Sequence, residues 1–164
     1  MKSKDHVGRV MDQWARERPD LDVSPQGVIG RLHRIGMRLT EELVAEYAKF
    51  GLGEGEFDVL ATLRRGGAPY RLTPTEIAER TMVSSGAVSK RVDRCERHGW
   101  VTREPSVTDG RGRVVVLTGA GKRLIDRAFT AHIANEHRLL EGLSRRQRDD
   151  LARLLEQWAR QLGV

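Results

Sequence analysis

Cysteine is nearly missing from this chain of 164 residues: Cys95 stands alone. A single thiol closes no internal disulfide, and without neighbours it builds no multi-cysteine metal site. Long apolar runs are missing as well. No stretch approaches the roughly 18 residues of a membrane span, and residues 1–5 are charged with no apolar segment behind them. The expectation is a cytoplasmic protein without membrane contact. Enzyme signatures are equally scarce. There is no nucleophile–base cluster, no paired-carboxylate motif and no phosphate-cradling loop. The run Gly51-Leu52-Gly53-Glu54-Gly55 precedes a helical segment but lacks a preceding strand and the dinucleotide spacing. His132 and His137 lie five apart, a poor helical pair for a metal. The sequence therefore predicts no enzyme, no cofactor and no metal. Repeats and low-complexity tracts are absent too.

What is present is positive charge. Lys and Arg number 29 against 23 Asp and Glu, a formal net charge of +6, with a pI near 10.1. Such a surface favours a polyanionic partner, because basic side chains displace counterions condensed on phosphates. Hydrophobic residues make up only 38% of the chain and charged ones 32%. Part of its apolar surface is thus expected to be completed by a second copy.

Read along the chain, residues 4–18 form a polar, helix-compatible segment carrying Trp14. Pro19-Asp20-Leu21-Asp22 reads as a turn. Ser24 is expected to cap a helix with Pro25 in its first turn. Val28, Leu32, Ile35, Leu39, Leu43 and Phe50 then recur at helical spacing, one apolar stripe that ends at Gly51 and Gly53. A second helix is predicted over 54–65, with Phe57, Leu60, Ala61 and Leu63 apolar. Thr73-Pro74-Thr75-Glu76 is a capping-box start for a short helix ending near residue 81. Ser84 caps another, which runs to His98 and stops at Gly99, with Val88, Val92 and Cys95 facing inward. Two β-prone pieces follow, 100–104 and 113–117, joined by a turn-rich tip. Residues 118–164 return to helix. Leu124, Ile125, Ala128 and Phe129 pattern one half, and Leu151, Leu154, Leu155, Trp158 and Leu162 the other, with Ser144 as a cap between them.

A short helix, a turn, a second helix and a basic hairpin form the layout of a winged helix-turn-helix. The first helix braces the second through Ile77 and Ala78. The second presents small polar and basic groups where it enters the major groove. Thr73, Ser84, Ser85, Ser89, Lys90 and Arg94 are the candidates there. Hydroxyls reach base edges or phosphates, and a helix amino terminus favours phosphate. The hairpin tip carries Arg111 between two glycines with Arg113 beyond, suited to a basic wing along the backbone or in the minor groove. Each feature alone also fits a bland reading, a helix cap or a solvated turn. Their order carries the inference. The fold class is mainly α with a small β-hairpin wing, and helices for dimerisation flank it.

At this point the segment 72–122 resembles the MarR family of transcriptional regulators. The marks are Ser85-Gly86-Ala87-Val88-Ser89-Lys90-Arg91-Val92, then Gly99-Trp100-Val101, and the wing's Asp109-Gly110-Arg111 followed by Val116-Leu117-Thr118. The resemblance implies that Asp109 and Arg111 hold the wing and that Arg111 approaches the minor groove. It implies a homodimer built from the first long helix and the last two. The partner is then double-stranded DNA with a pseudo-palindromic operator, its half-sites about 10 bp apart. Residues 1–53 would serve dimerisation and a ligand pocket, 54–118 the DNA-binding lobe and 119–164 dimerisation. Two rivals stay open: a weakly specific architectural DNA-binding protein of the same fold, and a scaffold whose wing binds protein.

The extra amino-terminal helix resembles a branch of the family that responds to urate or related purines. The branch's four ligand residues fall on Trp14, Asp58, Arg65 and Arg103. Asp58 and Arg65 are seven apart, hence on nearly one helix face about 10 Å apart along the axis. Arg65 and Arg103 would neutralise an anionic aromatic effector, Trp14 would cover its flat face and Asp58 would accept a ring N–H. The same residues also suit ordinary interhelical ion pairs, with Trp14 as packing. Cys95, flanked by Arg94 and Arg97, admits a peroxide-sensing role, but its place on the inward stripe favours a buried structural thiol. The family's peroxide sensors keep their reactive cysteine near the amino terminus, where this chain has none.

Overall fold

The structure, a computed structural model, describes residues 4–81, 88–105 and 112–164. Among them run α1 (His6–Glu17), α2 (Gln26–Ala48), α3 (Glu54–Arg65), β1 (Arg71–Leu72), α4 (Pro74–Arg80), α5 (Val88–Arg97), β2 (Val101–Pro105), β3 (Arg113–Leu117), α6 (Gly119–Leu139) and α7 (Arg145–Leu162). The chain divides into two compact units, Met1–Ala45 and Glu46–Val164. No helix among the described residues is long and apolar enough to cross a membrane.

In the first unit α1 lies against the start of α2 where side chains are small. Val7 is buried and its methyls approach Gly30, while the Met11 thioether reaches Gly27. Asp5 does two things at this junction. Its Oδ1 accepts the Gly8 N–H at 2.7 Å as the N-cap of α1, and its carboxylate takes two bonds from Arg31, at 2.7 and 2.9 Å. The Arg31 guanidinium and that backbone N–H hold the Asp5 carboxyl down at about 2. The cap is therefore present above the ordinary carboxylate range and lost only as pH falls through about 2.

Ser24 does not cap α2. Its N–H and hydroxyl both bond the Asp22 carboxylate, at 2.9 and 3.0 Å. The helix begins instead through a tight turn, with Gly27 N–H donating to the Ser24 carbonyl at 2.9 Å. Donating to Asp22, two residues upstream, holds the hydroxyl away from the helix amides from which a cap would accept. At the other end the exit is as expected: Gly51 adopts φ +69°, with bonds Leu52 N→Tyr47 O and Gly51 N→Ala48 O closing a Schellman motif.

The core of the second unit lies under α3. Val59, Leu60 and Leu63 are fully buried, as are Ile77 of α4, Val92 and Cys95 of α5, Val115 of β3 and Ile125 of α6. Each such aliphatic side chain contributes about 1.5–3 kcal/mol through burial. Tyr47 stacks on Phe57 at 3.9 Å between centroids, and His132 of α6 packs beside both.

The hairpin is wider than the sequence predicted. Three antiparallel strands run in the order β1-β3-β2, with Arg71 opposite Val116 and Val101 opposite Leu117. Strand β1 has two residues, too few for any alternation to announce it. It forms because β3 offers a free edge, and Arg71 reaches across to Glu104 on the far strand at 2.5 Å. The base of the hairpin is locked onto α6. Thr118 caps that helix by accepting the Gly121 N–H at 3.0 Å, and its own N–H donates to the Trp100 carbonyl at 3.0 Å. A Cβ at Gly121 would collide with that same carbonyl.

Candidate nucleic-acid interface and its supports

Helix α4 starts as its sequence dictates. Thr73 Oγ1 accepts the Glu76 N–H at 3.2 Å, and Glu76 Oε2 returns a bond to the Thr73 N–H at 2.8 Å, with Pro74 in the first turn. Thr73, expected among the DNA contacts, thus has its hydroxyl engaged within the chain. Ile77 is fully buried and Ala78 half-buried against the lobe. Ser84 and Ser85 lie outside the described residues, as do Asp109 and Arg111. From Val88 onward α5 turns Val88, Val92 and Cys95 inward and leaves Ser89 and Lys90 exposed. Gly99, at φ +70°, ends it with the same Schellman pair as α2, Trp100 N→Cys95 O and Gly99 N→Glu96 O. Arg113 opens β3, exposed, opposite Pro105. Of the residues expected to meet DNA, the described ones left exposed include Ser89 and Lys90 on α5 and Arg113 at the root of the hairpin.

Two arginines that the sequence marked as ligand or DNA contacts are tied to the chain itself. Arg94 bonds Glu56 of α3, a carboxylate that is 8% exposed. Arg103 of β2 bonds both Asp93 and Glu96 of α5. Sequence reasoning missed these three acids. Asp93 and Glu96 do stand three apart, on one helix face, which is the one local sign of a shared partner.

The remaining marked residues lie on different elements. Asp58 is half-buried on α3, and the Arg65 guanidinium donates to the Arg80 carbonyl at the end of α4. Trp14, on α1 in the other unit, is 47% exposed. Arg65 also borders a groove between α3 and α6 of about 550 Å³, with Ala61, Arg64, Ile125, Asp126, Phe129 and Thr130. Across it Arg64 bonds Asp126 at 2.7 Å. Phe129, one of the apolar residues that pattern α6, is 48% exposed at this groove.

Cys95 is buried, and burial with Glu56 nearby pushes its thiol up to about 12 against the pull of Arg94. It stays protonated near neutral pH and is a poor nucleophile. Peroxide treatment is expected to leave Cys95 unmodified in the folded protein and duplex binding unchanged. Mass spectrometry after exposure checks this; oxidation at Cys95 accompanied by lost binding would refute it. Among the described residues no cluster of histidine, cysteine and acids suits a metal.

These elements define a winged helix-turn-helix lobe flanked by helices. The MarR family model matches residues 50–112. The chain is 40% identical over 149 residues, 91% of its length and 90% of the relative's, to the HTH-type transcriptional regulator PecS of Dickeya dadantii. This protein belongs to the MarR family, and it is a DNA-binding transcriptional regulator rather than an enzyme. Solved structures agree in fold. Sco3205 of Streptomyces coelicolor in complex with DNA aligns over 87% of this chain and 93% of its own, at 24% identity and a TM-score of 0.77. A cysteine-to-serine mutant of Escherichia coli MarR complexed with operator DNA aligns over 84% and 98%, at 25% identity and a TM-score of 0.71.

Proposed function

We propose that the protein is a homodimeric repressor that binds a pseudo-palindromic duplex and is released by a small anionic aromatic ligand such as urate. Residues 1–53 serve dimerisation and the ligand pocket, residues 54–118 read DNA and residues 119–164 serve dimerisation. The apolar faces left uncovered support the dimer: α7 buries none of its residues, and Leu151, Leu154 and Leu155 of α7 are exposed, as are Val28, Ile35 and Leu39 of α2. Ser84, Ser85, Ser89 and Lys90 face the major groove. Arg111 and Arg113 follow the backbone or the minor groove, with Asp109 holding the wing.

The ligand reading is carried by one observation, the bonds from Arg103 to Asp93 and Glu96. An anion that competes for this guanidinium removes two anchors from α5. It thereby favours recognition-helix positions that misfit the duplex. Arg65 supplies a second positive charge, Asp58 an acceptor for a ring N–H and Trp14 a flat cover.

The test is binding to duplex from the gene's own upstream region, against random duplex, with and without urate. Specific binding that urate weakens is the expected result, and Arg65→Ala or Asp58→Ala should blunt the urate effect while preserving binding. An undiminished urate effect in both variants removes the four-residue pocket. Equal binding to both duplexes overturns the sequence-specific reading in favour of an architectural protein.

A further inference from the structure

Glu56 sits in the first turn of α3, far along the chain from the helix it controls. Its two oxygens have different partners. Oε2 accepts the Gly53 N–H at 3.0 Å and closes the start of α3, while Oε1 takes the guanidinium of Arg94 from α5. A carboxylate this buried needs a charge partner, and removing that partner leaves an uncompensated ion. Next to it Gly55 makes room for a second α5 arginine. A Cβ there would lie 2.5 Å from Arg91 Nε and 2.7 Å from its Cδ. The Arg91 side chain therefore runs flat over α3, and its Nη1 is buried with no hydrogen-bond partner among the described residues. Arg91 and Arg94 are three residues apart, so they present to α3 as neighbours. Lys90 stands one turn before Arg94, and the point where Arg94 is held sets where Lys90 is aimed.

We propose that Glu56 is a positioning residue for sequence readout: through Arg94, with Gly55 admitting Arg91, it fixes the angle at which α5 meets the duplex. Arg94 is then an anchor within the protein, and its contribution to recognition passes through helix placement. The proposal rests on α5 being the groove-reading helix.

Glu56→Gln separates the two roles. The amide oxygen still serves the Gly53 N–H, but the amide nitrogen now turns donors toward the Arg94 donors. The probes are a duplex selected by the wild-type protein from a randomised pool and a scrambled duplex of equal composition. Glu56→Gln is expected to bind the selected duplex about tenfold more weakly, the equivalent of about one base pair of readout. On the scrambled duplex it should stay within about twofold of wild type, the scatter of independent effects. Gly55→Ala, which displaces Arg91, should lower discrimination in the same sense, and it serves if Glu56→Gln fails to fold. Arg94→Met should match Glu56→Gln, and the double variant should be no worse than the weaker single one. Wild-type discrimination in Glu56→Gln or, should that variant not fold, in Gly55→Ala overturns the proposal. So does a scrambled-duplex salt slope that falls by about 0.9 per protomer in Arg94→Met, since that marks a direct phosphate contact. If Ser89→Ala and Lys90→Ala leave the selected duplex bound as in wild type, it is α5 as reading helix that fails, a separate outcome from the failure of Glu56.

Discussion

Replacing Lys90 and Arg111 together with alanine is expected to weaken duplex binding at least about a hundredfold, since each lost contact carries roughly 1–3 kcal/mol and a dimer loses it twice. The two residues probe different parts of the interface. Lys90 is exposed on α5, and the sequence assigns Arg111 to the wing, outside the described residues. The slope of log affinity against log salt should fall by about 0.9 for each phosphate contact removed. Fluorescence anisotropy over a salt series on specific and random duplex measures both quantities. If the slope falls equally on both duplexes, the pair contributes charge. If discrimination falls with it, one of them reads bases or groove shape. Unchanged binding in the double variant would remove the proposed interface and leave the net charge of +6 as the only attraction to DNA.

The second large effect is on stability. Gly121→Ala adds a methyl group aimed at the Trp100 carbonyl. Alanine within a helix is worth up to about 1 kcal/mol over glycine, so a gain is the first guess. The neighbour decides the sign. The Trp100 carbonyl accepts bonds from the Thr118 N–H at 3.0 Å and the Thr118 hydroxyl at 3.1 Å, so it cannot turn aside without breaking the cap of α6. Overpacking of this kind costs about 1–3 kcal/mol. The net expectation is destabilisation, with a fall in Tm of about 2–4 °C per kcal/mol for a chain of this size. Thermal unfolding at matched protein concentration checks it, because dimerisation makes Tm concentration-dependent. A Tm at or above wild type would mean that the hairpin root gives way freely.

Local chemistry in the sequence foretold much of this fold. The capping box at Thr73–Glu76, the cap at Ser144 and the C′ glycine at position 99 are short-range devices, and each acts where its sequence placed it. The winged helix-turn-helix order followed from them. Ser24 failed because its hydroxyl donates to Asp22 and is held away from the amides it would have capped. Strand β1 failed because its cause is the free edge of β3, distant in sequence. The site was legible as a list of residue types but not as a set of partners. Nothing local tells that Arg94 turns to Glu56, or that Arg103 bridges two acids of α5. Such pairs follow from how α3, α5 and β2 are stacked, and the stacking is fixed by the apolar core beneath them.

The pairing of Arg71 with Val116 also bears on how the lobe comes into being. Both helices of the DNA-reading motif lie inside a stretch of chain whose ends are fastened by this one short pairing. During synthesis α4 and α5 leave the ribosome before the strand that completes their enclosure. Closing so long a loop carries an entropy cost that no local helix preference offsets. The sheet that encloses the reading head is thus closed only once β3, ending at Leu117, has been made, well after the recognition helix itself.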